Sequence, residues 1–518
     1  MTTPNNPGSV PEKKKKNKLF DLHAPVFYPA AGLILLFIGI TLAVGDPMEE
    51  VFINIADGMT SNTSWLFTLS VNFFLAYCIY LGFSKFGKIR LGGKDAKPEF
   101  SLFAWFAMLF SAGMGIGLLF FSVGEPITHF STPPVPVTDS AMAAKNAMQF
   151  TFLHYGMHAW AIYALVALSL AFFAFNRKLP LTIRSVFYPV LKEKIYGIWG
   201  DVIDVVAVVA TLFGLATSLG FGVQQVASGL HYLIGTPKGV WMEVGLIAGI
   251  TLMATWSVVS GLKKGVRMLS ELNMRLGVVF LVLLLILGPT IFLLDSFVQN
   301  TGEYFQSIIS LGTWTEAFNQ TDWQNDWTIF YWAWWISWSP FVGMFIARVS
   351  KGRTISQFMA GVLLVPTILT FLWMSVFGGS ALFLELEGLA DIVTPVEKDF
   401  STALFVMLEQ YPLGAITSLI GILLVTSFFV TSSDSGSLVI DSITSGGKLD
   451  APVGQRVFWA LTEGAVAATL LIGGGLKALQ TAAITTGLPF TFLLAFMCYS
   501  LYKGLQGEHG KYRRSRDD

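Results

Sequence analysis

Twelve apolar runs, each long enough to cross a bilayer, constrain this chain more than any other feature. They lie near residues 26–45, 65–83, 102–123, 149–175, 203–232, 239–260, 270–294, 327–348, 358–383, 413–432, 454–473 and 482–502. A helix needs about 20 mainly apolar residues to span ~30 Å of hydrocarbon. The runs are continuous and lack the alternation of barrel strands. The expected fold is therefore an all-α integral membrane protein of twelve transmembrane helices. Composition agrees, because only 13% of residues are charged, against roughly 25% in a soluble protein. A formal net charge of zero, with no basic domain set apart, excludes a nucleic-acid partner. The expected surroundings are membrane lipid.

Charge placement orients the spans. Cationic residues gather in cytoplasmic loops. With the N-terminus inside, the inner segments hold 28 of the 33 Lys and Arg. The outer loops hold Lys145, Lys238, Lys398 and Lys477, and Arg275 alone falls within a span. A wrong count would blur this split, so both ends are expected in the cytoplasm. The basic tail, residues 1–25, is followed by an apolar run with no small-residue cleavage site, which reads as a retained first span. Only 16 residues follow Tyr502, too few for a soluble catalytic or sensor domain. The outer loops 295–326 and 384–412 are expected to carry short surface helices. Cys78 and Cys498 sit in apolar runs and form no disulfide framework or metal pattern.

Four segments hold residues that could carry function. The third run contains Ser-Ala-Gly-Met-Gly-Ile-Gly, residues 111–117. Alternating glycines either let helices pack closely or break the helix where its backbone lines a cavity. The eighth run holds Trp327, Trp332, Trp334, Trp335 and Trp338, with Pro340 expected to interrupt the helix after them. Trp323 and Trp327 read as an interfacial belt; Trp334 and Trp338 share one face deeper in, and that stripe suits either packing or a cage. In the fourth run, Tyr155, Trp160 and Tyr163 share a broad face. His154 and His158 have metal-ligand spacing, but no Glu, Cys or third His stands nearby in sequence, so packing histidines are the expectation. The tenth run ends in Thr431-Ser432-Ser433-Asp434-Ser435, hydroxyls that can bond back to the helix or serve as hard oxygen ligands for Na⁺. Asp434 is expected at the inner mouth.

Aromatic rings at membrane depth with almost no fixed charge suit a bulky, weakly hydrated cation such as a quaternary ammonium, held by cation–π attraction. A zwitterion adds a carboxylate, which the N–H groups of a broken helix can accept. No membrane-depth Ser/His/Asp set, HExxH or dense acidic cluster is present, so an enzyme is not expected. A cage that desolvates its ligand also argues against a channel.

The stretches FSAGMGIGLLFFSVGEP (110–126), HYGMHAWAIY (154–163), WAWWISWSPFVGMFIARVSKGRT (332–354) and VTSSDSGS (430–437) resemble the betaine/choline/carnitine transporter family, in order along nearly the whole chain. The resemblance implies a LeuT-like core of two inverted five-helix repeats, 102–294 and 327–502. Two extra helices (26–101) precede the core, the outer loop 295–326 joins the repeats, a C-terminal tail (503–518) follows, and the assembly is a homotrimer. It places an aromatic box on Tyr155, Trp160, Tyr163 and Trp335, and a second aromatic set, toward the inner side, on Phe330, Trp334 and Trp338. The glycine stretch falls on Gly113, Met114, Gly115 and Gly117. One sodium site falls on the backbone of Ser111, Met114 and Phe428 with the hydroxyls of Thr431 and Ser432.

Three departures bear on function. The first box position, often Trp in the family, is Tyr155. Gly117 stands where proton-coupled choline carriers often have Asp, which favours a zwitterion over choline. The threonine pair of a second sodium site reads Thr211 and Leu215. The expected activity is sodium-coupled import of a small zwitterionic onium osmolyte across a bacterial inner membrane. Candidates are glycine betaine, carnitine, ectoine and dimethylsulfoniopropionate. The alternatives are sodium-independent exchange, in which an arginine such as Arg275 replaces sodium, and proton-coupled choline uptake. Arg275 can equally snorkel to the interface.

Overall fold

The computed structural model describes residues 20–517 apart from residues 114, 261–262, 320 and 449–451. Among these the chain is helical, with one isolated bridge between Arg90 and Thr354. Helices α1 (Ala24–Val44) and α2 (Met48–Phe83) come first. The third run is divided into α3 (Leu102–Gly113) and α4 (Ile116–Ser131), whose axes bend by 66°. The fourth is divided into α5 (Ser140–Tyr155) and α6 (Met157–Ala171). Then follow a one-turn α7 (Tyr188–Leu191), α8 (Ile198–Ile234), α9 (Val240–Val259), α10 (Lys263–Leu287) and α11 (Thr290–Gly312). Helices α12 (Phe330–Val349) and α13 (Ile355–Leu386) are followed by the short α14 (Val393–Lys398) and α15 (Ala403–Glu409). Last come α16 (Gly414–Thr444) and α17 (Val453–Asp517). Among the described residues, nine helices are long and apolar enough to span a membrane, or ten if the bent α3/α4 pair is one span.

Burial sorts these helices by neighbour. Every residue of α6 is buried, and α6 and α8 pack on α12 at the centre of the molecule. On α1, α9 and α10, large apolar side chains such as Leu36, Trp256 and Ile286 stay exposed. In water such a surface would drive aggregation; in a bilayer it is the lipid-facing side of a multi-pass protein.

Proline and glycine explain where helices bend and where they do not. Pro340 does not interrupt α12, contrary to expectation. A proline has no N–H for the carbonyl four residues back, here Ile336. The Ser339 hydroxyl donates to that carbonyl at 2.7 Å, and the helix runs on. Gly156 does break the fourth run: a Cβ there would lie 2.6 Å from the Tyr304 hydroxyl. Tyr304 accepts the Met157 N–H at 2.9 Å, supplying a partner for a donor at the new helix start. Within α17, Gly474 and Gly475 leave helical geometry, with Gly475 at φ 54°. This break falls between the runs predicted at 454–473 and 482–502.

Two loop expectations change. The hydroxyl run 431–435 does not end a helix, because α16 continues to Thr444. The 295–326 segment begins inside α11, a 23-residue helix from Thr290 to Gly312 packed on α13 and α5.

Candidate functional site

The aromatic box assembles from α5, α6 and α12. Tyr155, Trp160, Tyr163 and Trp335 all line one small cavity, together with Gly115, Gly117, Trp334 and Trp338. Tyr155 and Trp335 meet edge to face at 5.5 Å, and Trp160 and Tyr163 do so at 5.5 Å. Tyr163 is 6.3 Å from Trp335 and 6.2 Å from Trp338. Their positions follow from the break at Gly156, which turns Tyr155 at the end of one helix toward Trp160 and Tyr163 on the next. No Asp, Glu, Lys or Arg lines the cavity. The Tyr163 hydroxyl and Trp338 Nε1 are buried without a partner among the described residues, which leaves two donors of the wall unsatisfied.

Its free volume is about 30 Å³, room for about two or three waters at 10–15 Å³ each.

The glycines shape one wall. A Cβ on Gly117 would stand 2.6 Å from Trp334 Cη2, and one on Gly115 would lie 3.5 Å from Trp338 Cη2. Gly113 ends α3, and Met114 lies outside the described residues. Phe330 does not line the cage. One turn before Trp334, it stacks on that ring at 5.5 Å and lines a separate groove with Asp326 and Lys477. Trp323 and Trp327 do not form a simple belt either. Trp323 is buried, and both rings pack on His129, at 4.7 and 4.6 Å.

A second chamber, of about 180 Å³, adjoins the cage and shares Trp338 with it as a wall. It is lined by Ser111, Phe428, Thr431 and Ser432, four of the five residues expected to hold sodium. The Thr431 hydroxyl donates to the carbonyls of Ser427 and Phe428 at 3.0 and 3.2 Å, and Asn273 Nδ2 approaches it at 3.4 Å. Its remaining lone pair, with hydroxyls and carbonyls nearby, offers only hard oxygen atoms, a donor chemistry that fits Na⁺. Arg275 is exposed and does not line the chamber. Arg348 does, and its Nε and Nη2 atoms are buried without a partner among the described residues. At the doubtful second ion site, the Thr211 hydroxyl bonds back to the Ala207 carbonyl at 2.6 Å, and Leu215 is buried against Gly436.

The reading of the histidines changes. His158 Nε2 meets Asn72 Oδ1 at 3.1 Å, whereas His154 Nδ1 meets Glu125 Oε1 at 2.6 Å. His129 joins that carboxylate at 3.3 Å. Ligand atoms of Glu125, His129 and His154 lie within 4.8 Å of one another, so tertiary folding brings together the Glu and third His absent locally. Two ligands about 2.1 Å from one Zn²⁺ sit more than 3 Å apart in tetrahedral geometry; a 2.6 Å contact is instead a direct hydrogen bond. The same carboxylate accepts the Tyr331 hydroxyl, which lies 3.2 Å from the Tyr155 hydroxyl. Glu125 escaped the sequence reading because the third run was ended at residue 123, and Tyr331, inside the eighth run, was passed over among its tryptophans. The only available signal was a carboxylate following directly on an apolar run.

Comparison with known proteins gives one consistent result. A family model for betaine/carnitine/choline transporters matches residues 25–510. Glycine betaine transporter 1 of Vibrio parahaemolyticus is 48% identical over 502 residues, covering 94% of this chain and 95% of its own length. A glycine betaine/proline/choline/ectoine transporter of the same organism is 48% identical over 503 residues, covering 95% and 89%. A probable glycine betaine transporter of Desulfitobacterium hafniense is 42% identical over 487 residues, covering 93% and 98%.

Proposed function

Because this chain belongs to the betaine/carnitine/choline transporter family, we propose that it imports a betaine-like zwitterion by sodium symport with alternating access. It is a multi-pass membrane transporter and not an enzyme. Glycine betaine leads the substrate classes, followed by carnitine, ectoine and dimethylsulfoniopropionate. The single observation carrying this reading is the cage: four rings from three helices meet on a cavity with no charged side chain and two unpartnered donors. Ring faces would hold the onium head, and Trp338 Nε1–H and the Tyr163 hydroxyl could donate to the carboxylate. Gly117, packed against Trp334, leaves no place for an aspartate, which favours a zwitterion over choline.

Sodium would bind in the adjoining chamber at Ser111, Phe428, Thr431 and Ser432, with Met114 completing the set. Bound there, the ion would tie α3 to α16 and order the broken helix beside the cage. The rest of the reading is twelve spans with both ends in the cytoplasm of a bacterial inner membrane. Repeats 102–294 and 327–502 would rock around the site within a homotrimer.

Uptake of labelled glycine betaine into proteoliposomes, with and without an inward sodium gradient, tests this. Unlabelled onium compounds compete in the same assay. Accumulation driven by sodium supports symport, and the strongest competitor identifies the substrate. A second reading, sodium-independent exchange, is favoured by the unpartnered Arg348 head in the sodium chamber. It predicts uptake indifferent to external sodium and accelerated by internal substrate.

A further inference from the structure

Behind the cage wall lies a polar cluster that the transport reading does not use. Glu125 on α4 is fully buried and lines neither the cage nor the chamber beside it. Donors from three helices converge on it: His154 Nδ1 from α5, His129 Nε2 from α4 itself and the Tyr331 hydroxyl from α12. His154 is pinned on its other side as well, with Nε2 2.9 Å from Thr328 Oγ1, and its ring stacks on Tyr331 at 4.6 Å.

Two routes lead from this carboxylate to the cage. Through Tyr331, the chain of hydroxyls reaches Tyr155: with the Tyr331 proton given to Glu125, the Tyr155 hydroxyl donates to Tyr331 at 3.2 Å, and the Gly117 carbonyl at 3.3 Å is its alternative acceptor. Through His154, it reaches Trp335. The His154 carbonyl sits in the last turn of α5, where intrahelical donors run out, and it accepts the Trp335 indole N–H at 2.9 Å. One buried side chain thus anchors two of the four box rings without touching what they hold.

We propose that Glu125 is a positioning residue of the cage: it sets Tyr155 through Tyr331, and Trp335 through His154, so that onium affinity depends on a group outside the cavity. This inference rests on the reading of the cage as the onium site. Burial makes the cluster sensitive, since a buried polar group that loses its partner keeps its full desolvation cost. Glu125→Gln keeps the shape but turns one acceptor atom into an NH₂ donor, so the group facing it must reverse its bond: Tyr331 accepts and releases its own proton, or His154 takes the other tautomer and its bond to Thr328 reverses.

The test is binding of labelled glycine betaine to purified protein, alongside the sodium activation constant and the melting temperature. Glu125→Gln is expected to raise the betaine Kd by up to about tenfold, the scale of one buried hydrogen bond, without altering the sodium constant. Glu125→Asp is expected to recover part of that affinity. Combined with Tyr155→Phe, Glu125→Gln should cost less than the product of the two single effects, because both variants release the same ring. Unchanged affinity in folded Glu125→Gln, or strictly multiplicative effects, overturns the proposal. If the wild-type protein binds no onium compound, the cage reading fails separately. The positioning role is then read from a structure of the Glu125→Gln variant: displaced Tyr155 and Trp335 rings sustain it, and unmoved rings sink it.

Discussion

Gly117 and Trp334 are interlocked: a single added methyl at residue 117 would stand 2.6 Å from Cη2 of the indole. Trp334 is buried and donates its N–H to the Gly214 carbonyl at 3.2 Å, so it cannot swing aside without losing that bond. Gly117, in the first turn of α4, is therefore the floor on which the tryptophan stack rests. Trp334 lies flat on Trp335 at 4.6 Å and 16°, which passes any shift directly into the aromatic box.

Gly117→Ala should accordingly destabilise the protein by about 1–3 kcal/mol, the usual cost of overpacking. Betaine uptake should fall with it. Shortening the opposing ring in Gly117→Ala/Trp334→Phe should restore part of the melting temperature. Thermal unfolding in detergent reads both variants, and a Gly117→Ala protein as stable as wild type would contradict the interlock.

Trp335→Ala removes the ring that contacts Tyr155, Tyr163, Trp334 and Trp338. A desolvated cation–π contact is worth about 2 kcal/mol, so affinity should drop at least about thirtyfold. Uptake should be lost while the protein still elutes as a folded species on size exclusion. Wild-type transport by this variant would remove Trp335 from the substrate site.

Thr431→Ala takes one hydroxyl from the chamber that Ser111 and Ser432 also line. The sodium concentration for half-maximal uptake should rise roughly tenfold, on the scale of one charge-assisted contact. Maximal uptake at saturating sodium should stay near wild type. A sodium curve superimposable on wild type would place the ion elsewhere.

Arg348→Gln should move that curve the other way. An unpartnered guanidinium in the chamber repels any cation bound there, and Coulomb repulsion at ~10 Å with an effective dielectric of ~20 is about 1.7 kcal/mol. Half-maximal sodium should fall by roughly tenfold or more, and Arg348→Lys should leave it near wild type. If Arg348→Gln instead confers a sodium requirement on sodium-independent uptake, the arginine has been standing in for the ion.

Much of this molecule is legible in its residues. Runs of apolar side chains declare themselves because lipid demands length and hydrophobicity, both properties of a contiguous segment. The box residues Tyr155, Trp160, Tyr163 and Trp335 were readable from motif and span, and they do share one cavity. Other features were not readable because they depend on which way a side chain points. Residues 273 and 275 are about 200° apart around a helix; Asn273 lines the second chamber and Arg275 does not. Pro340 looked like a break because its repair by Ser339 is a matter of rotamer. Glu125 looked like the edge of a span, yet it is the hub between α4, α5 and α12.

By itself, then, the sequence determined the solvent, the helical class and the chemical character of the site, since each follows from what residues are present and how they are spaced. Tertiary structure alone decided which arginine lines the second chamber, which groups lie behind the cage wall and which side chains close around it. Those depend on contacts between segments as distant as Glu125 and Tyr331, and no local pattern encodes a contact whose two halves become neighbours only when the helices pack.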